Sequence, residues 1–310
     1  MRTDITITNE KHRPYYVMHG YAWMPEGNTN AVIHVVHGIT EHIGRYEEFA
    51  QNMNERGVAV VGYDLRGHGQ NENDYQAATF VSGKTETDFG WGAAIEDLEL
   101  QVHQISNMFP EAEYCMMGVS LGALLVRDLM PKLPAAVQKI ILVNPEYNQG
   151  LMGRLKINIF NSDVKQTPAG SSSVFSNRFT FEFYNTGVSD AKTPWDWMCS
   201  DVQQLAKYQA DMLVNKKIAS DLVHDMLYAM QRVNNAATYK MARQNVPVLL
   251  IGGTNDPVSQ AGKGAAQCQK VLNKAGYFTK NIMIPGRHDL FHEFSEGSAT
   301  ALYDEIAHWV

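Results

Sequence analysis

Residues 113–123 read EYCMMGVSLGA, and positions 118–122 within them fit the pattern G-x-S-x-G. A short apolar run typical of a buried strand precedes Ser120, and a run with helical spacing begins at Leu121. Between a strand and a helix, this pattern is typical of a sharp turn that presents a nucleophilic serine, with glycines where the backbone is crowded. The stretch therefore predicts an α/β fold and makes Ser120 a candidate nucleophile.

The sequence on either side of this turn alternates between strand-like and helical segments. We expect strands over 3–8, 15–23, 31–36, 58–63, 114–117 and 139–143, and helices over 46–56, 91–108 and 121–130. The first two strands are expected to pair antiparallel. Because the later strands alternate with helices, the pattern predicts a mostly parallel central sheet flanked by helices.

This alternation stops after residue 145 and resumes near residue 245. The sequence between them is irregular, with a polar stretch TPAGSSS over 167–173, helical spacing over 202–216 and 220–232, and an aromatic and methionine cluster at Phe179, Phe181, Phe183, Tyr184, Trp195, Trp197 and Met198. A strand over 248–251, a helix over 261–275, a strand over 280–284 and a closing helix from 295 follow. We therefore predict an α/β core formed by residues 1–145 and 245–310, interrupted by a mostly helical cap formed by residues 146–244.

Composition narrows the classes of function. The chain of 310 residues carries a formal net charge of -7, which argues against a nucleic-acid partner. The N-terminal sequence MRTDITITNEKHRPYY lacks the apolar core of a signal peptide, and no apolar run of about 18 residues suggests a spanning helix. Three cysteines, far apart at Cys115, Cys199 and Cys268, argue against a disulfide framework. We expect a cytoplasmic protein without stable membrane insertion.

A serine hydroxyl becomes a strong nucleophile only when a nearby base accepts its proton. His288 follows a predicted strand, in PGRHD, and the carboxyl ends of parallel strands are where α/β enzymes present their reactive groups. Asp256 follows the preceding strand, in GGTNDP, and is the candidate acid that orients the imidazole. The chain order Ser120, Asp256, His288 is the order expected for a triad on this fold. Asp289 is disfavoured as the acid because neighbouring side chains on an extended loop diverge.

Acyl transfer also requires N–H groups that stabilise the oxyanion. The amide of Leu121, which directly follows the candidate nucleophile, is one candidate donor. The other is the amide of Ile39, in the sequence HGI after the strand over 31–36. His37 in the same loop is expected to be structural and to hold the loop in place.

A metal site is the alternative interpretation of the histidines near the C-terminus. His288 and His292 lie one helical turn apart, with Glu293 next to them. However, no H-E-x-x-H motif is present, and His288 is already assigned as the base. We therefore expect no metal at these residues.

Six stretches carry a resemblance to a known family: HGITEHIGRY at 37–46, DLRGHG at 64–69, GVSLG at 118–122, DWM at 196–198, DPV at 256–258 and RHDLFHE at 287–293. They resemble the monoacylglycerol lipase and lysophospholipase branch of the α/β-hydrolases, whose members are often described as serine aminopeptidase-like. The resemblance covers nearly the whole chain. It implies an α/β-hydrolase fold with a cap, a Ser-His-Asp esterase and no cofactor. Thr40, Leu121 and Ala123 depart from residues common in that branch, but none of them removes a reactive group.

The expected function is hydrolysis of carboxylic esters, of the lysophospholipase, monoacylglycerol lipase or general carboxylesterase type, through an acyl-enzyme on Ser120. The expected partner is a small-molecule acyl ester, with at most transient contact with lipid. Two alternatives stay open: the same triad could cleave an amide, peptide or thioester, or the chain could be a non-catalytic homologue that binds a ligand. The sequence leaves the oligomeric state open.

Overall fold

The structure is a computed structural model of the chain. It describes residues 1–11, 15–71, 77–81, 90–148, 150–178, 183–189, 191–215, 217–295 and 297–310. Two aromatic residues singled out in the insertion, Phe179 and Phe181, lie outside the described residues, as does the last position of the helix predicted over 202–216.

In the described part of the chain, eight strands form one sheet. The strands are β1 (Arg2–Asn9), β2 (Tyr16–Trp23), β3 (Ala31–Val36), β4 (Val58–Tyr63), β5 (Glu113–Val119), β6 (Lys139–Val143), β7 (Val248–Gly253) and β8 (Thr279–Ile284). Their order across the sheet is β1-β2-β4-β3-β5-β6-β7-β8. β2 pairs antiparallel with β1 and β4, and the other neighbouring pairs are parallel, which confirms the predicted mostly parallel sheet.

Helices cover both faces of the sheet and fill the segment between β6 and β7. They are α1 (Glu47–Asn54), α2 (Trp91–Met108), α3 (Leu121–Leu129), α4 (Leu151–Gln166), α5 (Val174–Asn177), α6 (Phe183–Asn185), α7 (Val202–Ala210), α8 (Ser220–Val233), α9 (Lys263–Lys274) and α10 (Ser298–Trp309). Buried residues of α2, α3 and α9 belong to one apolar cluster, and those of α1 and α10 belong to the other. The sheet therefore separates two hydrophobic cores.

The two cores explain why the central strands read as continuous apolar runs. On β5, Tyr114 and Met116 join one cluster, whereas Cys115 and Met117 join the other. Alternate side chains of a strand point to opposite faces, so a strand covered on both faces buries all of them. The side chains of β3 alternate between the two clusters in the same way, so β3 and β5 are both buried between the two cores.

The segment between β6 and β7 differs most from expectation. The stretch over 151–166 was predicted to be irregular, yet it forms α4. The pattern did not indicate this helix because most of its apolar side chains face outward and only Ile157 and Phe160 are buried. The helix predicted over 202–216 ends at Ala210, since Asp211 has an extended backbone. The division into a core and a cap at residues 146 and 244 stays a prediction.

Among the helices in the described ranges, none combines the length and the apolar character that crossing a bilayer requires.

Candidate active site

Ser120 lies at the junction of β5 and α3, in a strained turn. Its φ is 52° and its ψ is −115°, a conformation that residues other than glycine rarely adopt. A Cβ atom at position 118 would lie 2.5 Å from Gly122 O, and one at position 122 would lie 1.9 Å from Val36 O. The two glycines of the motif are therefore required because backbone atoms approach them closely on both sides of Ser120.

Three side chains predicted from the sequence meet at this turn. Ser120 Oγ lies 2.8 Å from His288 Nε2, and His288 Nδ1 lies 3.0 Å from Asp256 Oδ2. Because a carboxylate only accepts hydrogen bonds, Nδ1 carries the proton and Nε2 is free to accept one from the Ser120 hydroxyl. All three residues are buried. The arrangement can withdraw a proton from Ser120 and deliver it to a leaving group.

The charges around His288 favour its protonated form. Burial lowers the pKa of the imidazole, but the charge and hydrogen bond of Asp256 raise it, as do the charges of Glu146 and Asp289. The net result is a pKa above the ordinary value of 6.5. An imidazolium formed by proton transfer from Ser120 is therefore stabilised in place.

Asn144, which the sequence did not single out as a site residue, ties the loops of the site together. It directly follows β6 and has a φ of 46°. Its Nδ2 donates to His288 O at 2.6 Å, and its Oδ1 accepts from Gly253 N at 2.7 Å. The only sequence signal for this role is its place, a polar residue at the carboxyl end of a buried strand and just before Pro145.

The loop after β3 runs past the serine turn. A Cβ atom at Gly38 would lie 3.5 Å from the Cβ of Ser120. Within the described residues, the amides of Ile39 and Leu121 donate no hydrogen bond to another atom of the chain, so both stay available to a bound oxyanion. The structure brings the two predicted donor segments together, and their oxyanion role stays a prediction.

His37 holds this loop, as predicted. Its Nε2 accepts a hydrogen bond from Leu65 N at 2.9 Å, so its Nδ1 carries the proton and donates to Gly38 O at 2.8 Å. Burial lowers the pKa of His37 to about 3, which keeps the ring neutral. A neutral, fully bonded ring fits a structural role.

A buried ion-pair network also stabilises the loop after β3. Glu41 Oε1 accepts from Gly38 N at 2.6 Å, and Glu41 Oε2 pairs with Arg45 Nη1 at 2.6 Å. Arg45 Nη2 pairs in turn with Asp289 Oδ2 at 2.6 Å. Burial opposes the charged form of Asp289, but His292 and Arg45 lower its pKa below the usual range. Asp289 is thus committed to this network, whereas Asp256 contacts His288.

The residues considered for a metal site form hydrogen bonds with other side chains. His292 Nδ1 lies 2.9 Å from both carboxylate oxygens of Asp289. Glu293 Oε2 accepts from Ser200 Oγ at 2.6 Å. Among the residues that the structure describes, no group of three or more His, Cys, Asp or Glu side chains is arranged to hold a metal ion.

Residues of the segment between β6 and β7 contact both the loop after β3 and the candidate base. Thr40, with a φ of 65°, hydrogen-bonds Tyr208 OH through its Oγ1 at 2.8 Å, and its carbonyl accepts from Asn215 N at 2.9 Å. The ring of Trp197 lies 5.3 Å from that of His288, centroid to centroid. The aromatic cluster noted in the sequence therefore contributes at least one ring beside the candidate base.

The α/β-hydrolase class is defined by this sheet order, by the two antiparallel opening pairs and by a serine turn after β5. His288, after β8, contacts that serine, and Asp256, after β7, contacts His288, as this class requires. The chain belongs to the hydrolase family described as serine aminopeptidase, S33, whose model matches residues 27–295. The family resemblance expected from the sequence is thereby confirmed.

Individual relatives extend along most of the chain. The monoglyceride lipase homolog of Monkeypox virus is 26% identical over 295 residues, which cover 93% of this chain and 92% of the relative. The monoglyceride lipase of Homo sapiens is 24% identical over 296 residues, covering 93% and 84%. A thermostable carboxyl esterase from Bacillus coagulans, solved in complex with glycerol, has a TM-score of 0.84 at 18% identity and covers 99% of this chain and 97% of its own. The structural likeness shows a shared fold.

Proposed function

We propose that this chain is a serine hydrolase that cleaves carboxylic esters through an acyl-enzyme on Ser120. The observation that carries the proposal is the hydrogen-bonded relay, 2.8 Å from Ser120 Oγ to His288 Nε2 and 3.0 Å from His288 Nδ1 to Asp256 Oδ2. Relatives named as monoglyceride lipases and a carboxyl esterase of the same fold support the choice of an ester.

In the first step, His288 accepts the hydroxyl proton while Ser120 Oγ attacks the ester carbonyl carbon. Asp256 keeps the imidazole in the required tautomer and stabilises the imidazolium. The amides of Ile39 and Leu121 hold the negative oxygen of the tetrahedral intermediate. His288 then gives its proton to the leaving alcohol, and the acyl group stays on Ser120.

In the second step, water enters and His288 accepts one of its protons. The resulting hydroxide attacks the acyl carbon, the same amides hold the oxyanion, and His288 returns the proton to Ser120 Oγ as the bond breaks. The products are a carboxylic acid and the free serine. No cofactor enters either step.

The substrate we propose carries an apolar acyl group, as in a monoacylglycerol, a lysophospholipid or a shorter ester. Residues 146–244 would form the cap that binds it, because their aromatic side chains reach the candidate base through Trp197. Apolar and aromatic walls are typical of pockets for small molecules.

The direct test removes the nucleophile. We expect Ser120→Ala to lower turnover of p-nitrophenyl esters by about a thousandfold or more, because no other hydroxyl stands within the relay. Ser106→Ala, on the partly exposed face of α2, is the matched control and should retain normal turnover. Full activity of the Ser120→Ala protein would refute the assignment.

The remaining alternatives differ in bond type or in chemistry. A panel of esters of graded chain length, assayed beside aminoacyl-naphthylamides and acyl thioesters, compares the leaving groups on one enzyme. Preference for the amides would replace the ester assignment with an aminopeptidase. A fluorophosphonate probe that labels Ser120 argues against a pure binding protein, and the absence of an adduct would favour one.

A further inference from the structure

A largely apolar cavity lies above the carboxyl ends of β6 and β7. Its volume is about 80 Å³, and its walls include Glu146, Asn148, Lys156, Phe160, Tyr184 and Met226. The loop after β6, helices α4 and α8, and the loop after β7 each contribute to these walls. Its mostly apolar lining with a few polar side chains is typical of a site for an organic group.

This cavity adjoins the relay on the side of His288. Tyr184, in its wall, packs 5.4 Å from Trp197, and Trp197 packs 5.3 Å from His288, centroid to centroid. Val258, also in the wall, donates its amide to Asp256 Oδ1 at 2.8 Å. The charge of Glu146, in the same wall, also acts on the imidazole of His288, so the cavity lies beside the relay.

Glu146 places a buried carboxyl group in the wall of this largely apolar cavity. It is only 6% exposed, and within the described chain neither of its carboxylate oxygens has a hydrogen-bond partner from another residue. Burial raises the pKa of Glu146 to about 7, which its own backbone amide, His288 and Arg127 offset only in part. Buried polar groups in native proteins are almost always hydrogen-bonded, so the missing partner points to something that enters the cavity.

We infer that Glu146 is a specificity-determining residue that hydrogen-bonds a hydroxyl group on the substrate, in the part of the ester that occupies this cavity. The inference rests on the function proposed above. A hydroxyl can donate to a carboxylate and can accept from a protonated carboxyl, so it suits Glu146 in either state. An ammonium group is disfavoured, because Lys156 lines the same cavity and Arg127 also acts on Glu146.

The binding test uses the Ser120→Ala protein, in which bound esters stay intact. Calorimetry compares methyl 6-hydroxyhexanoate with methyl hexanoate, and 6-hydroxyhexyl acetate with hexyl acetate, so that the hydroxyl lies on either side of the ester. We expect the hydroxyl ester of one pair to bind about tenfold more tightly, as for a hydrogen bond to a charged acceptor. Adding Glu146→Leu should abolish that difference.

Two further variants guard the interpretation. Glu146→Gln keeps a hydrogen-bonding side chain of the same shape and should retain part of the preference. Met241→Leu, at an exposed position outside the cavity, should retain all of it. Equal affinities within both pairs before any change at Glu146 would overturn the inference. So would tighter binding of methyl 6-aminohexanoate than of its hydroxyl counterpart.

Turnover by the protein with Ser120 intact separates this inference from the proposed function. If both members of each pair are cleaved at equal efficiency and bind equally, the role of Glu146 is refuted and the esterase stands. If the hydroxyl ester binds preferentially but neither ester is cleaved, the esterase is refuted and the binding role of Glu146 stands.

Discussion

Two opposing influences set the pKa of the His288 imidazole. Burial lowers it, and the Asp256 carboxylate raises it. The carboxylate prevails together with the charges of Glu146 and Asp289, so the raised pKa depends on partners from separate loops. Because only neutral His288 accepts the proton of Ser120, activity should rise with pH as the imidazolium loses its proton. The midpoint of that rise should lie above 6.5.

Replacing the acid tests this balance. In Asp256→Asn, burial is left to dominate, so the midpoint of the kcat/KM profile should move to lower pH. The rate should also fall by about ten-thousandfold, because the imidazole loses its fixed tautomer. Asp4→Asn, on the exposed strand β1, is the control and should leave both quantities unchanged. An unshifted midpoint in Asp256→Asn would mean that another group governs the profile.

The sequence predicted which side chains meet at the serine turn better than it predicted the residues around them. Ser120, Asp256 and His288 could be proposed because each follows a strand and their chain order matches the fold. The hydrogen bonds of Asn144 and the cavity that Glu146 lines exist only after the loops of β6, β7 and β8 have assembled. No local pattern encodes such contacts, so they could not be predicted.

At the scale of elements, helix α3 depends on a glycine that helix α4 does not need. A Cβ atom at Gly122, in α3, would lie 1.9 Å from the backbone oxygen of Val36. One at Gly153, in α4, would meet only the side-chain oxygen of Asn148, at 3.3 Å. The same residue type thus permits close packing in one helix and only weakens the other.

This contrast predicts opposite effects of one substitution. Gly122→Ala should destabilise the protein by about 3 kcal/mol, because the backbone of β3 or α3 must shift. Gly153→Ala should stabilise it by up to about 1 kcal/mol through helix propensity, less the cost of moving the Asn148 side chain by a few tenths of an ångström. Urea unfolding of both variants measures the difference. Equal stability of the two would show that α3 can move away from β3 at little cost.

Elements differed in how well the sequence defined them. The bounds of α2 and β6 were predicted to the residue, because α2 shows apolar residues at helical spacing and β6 is a short continuous apolar run. Helix α4 was missed because Leu151, Met152 and Leu155 lie on its exposed face and obscure the expected apolar stripe. Pattern reasoning fails where a helix does not bury its apolar residues in a core.

At the scale of the whole molecule, the site is assembled from the carboxyl ends of parallel strands. Ser120 follows β5, Asp256 follows β7 and His288 follows β8, and these ends lie along one edge of the sheet. Residues far apart in sequence therefore meet without long-range patterning. This explains why the fold class and the relay could be predicted together, whereas the walls of the cavity could not.

The two cores also enclose every thiol of the chain. Its three cysteines are free, with Cys115 and Cys268 at 0% exposure and Cys199 at 3%. Burial raises the pKa of each thiol. Since the thiolate is the reactive form, Ellman's reagent should label none of them in the folded protein at pH 8 and all three in denaturant. Rapid labelling of the folded protein would show that the cores open.

Because the three native thiols are buried and unreactive, a fluorophore can be attached at a newly introduced cysteine without first replacing them. A cysteine introduced at Met212, which is 91% exposed in the segment between β6 and β7, would be the single target for a maleimide dye. Motions of that segment relative to the sheet could then be followed by fluorescence without replacing a single core residue.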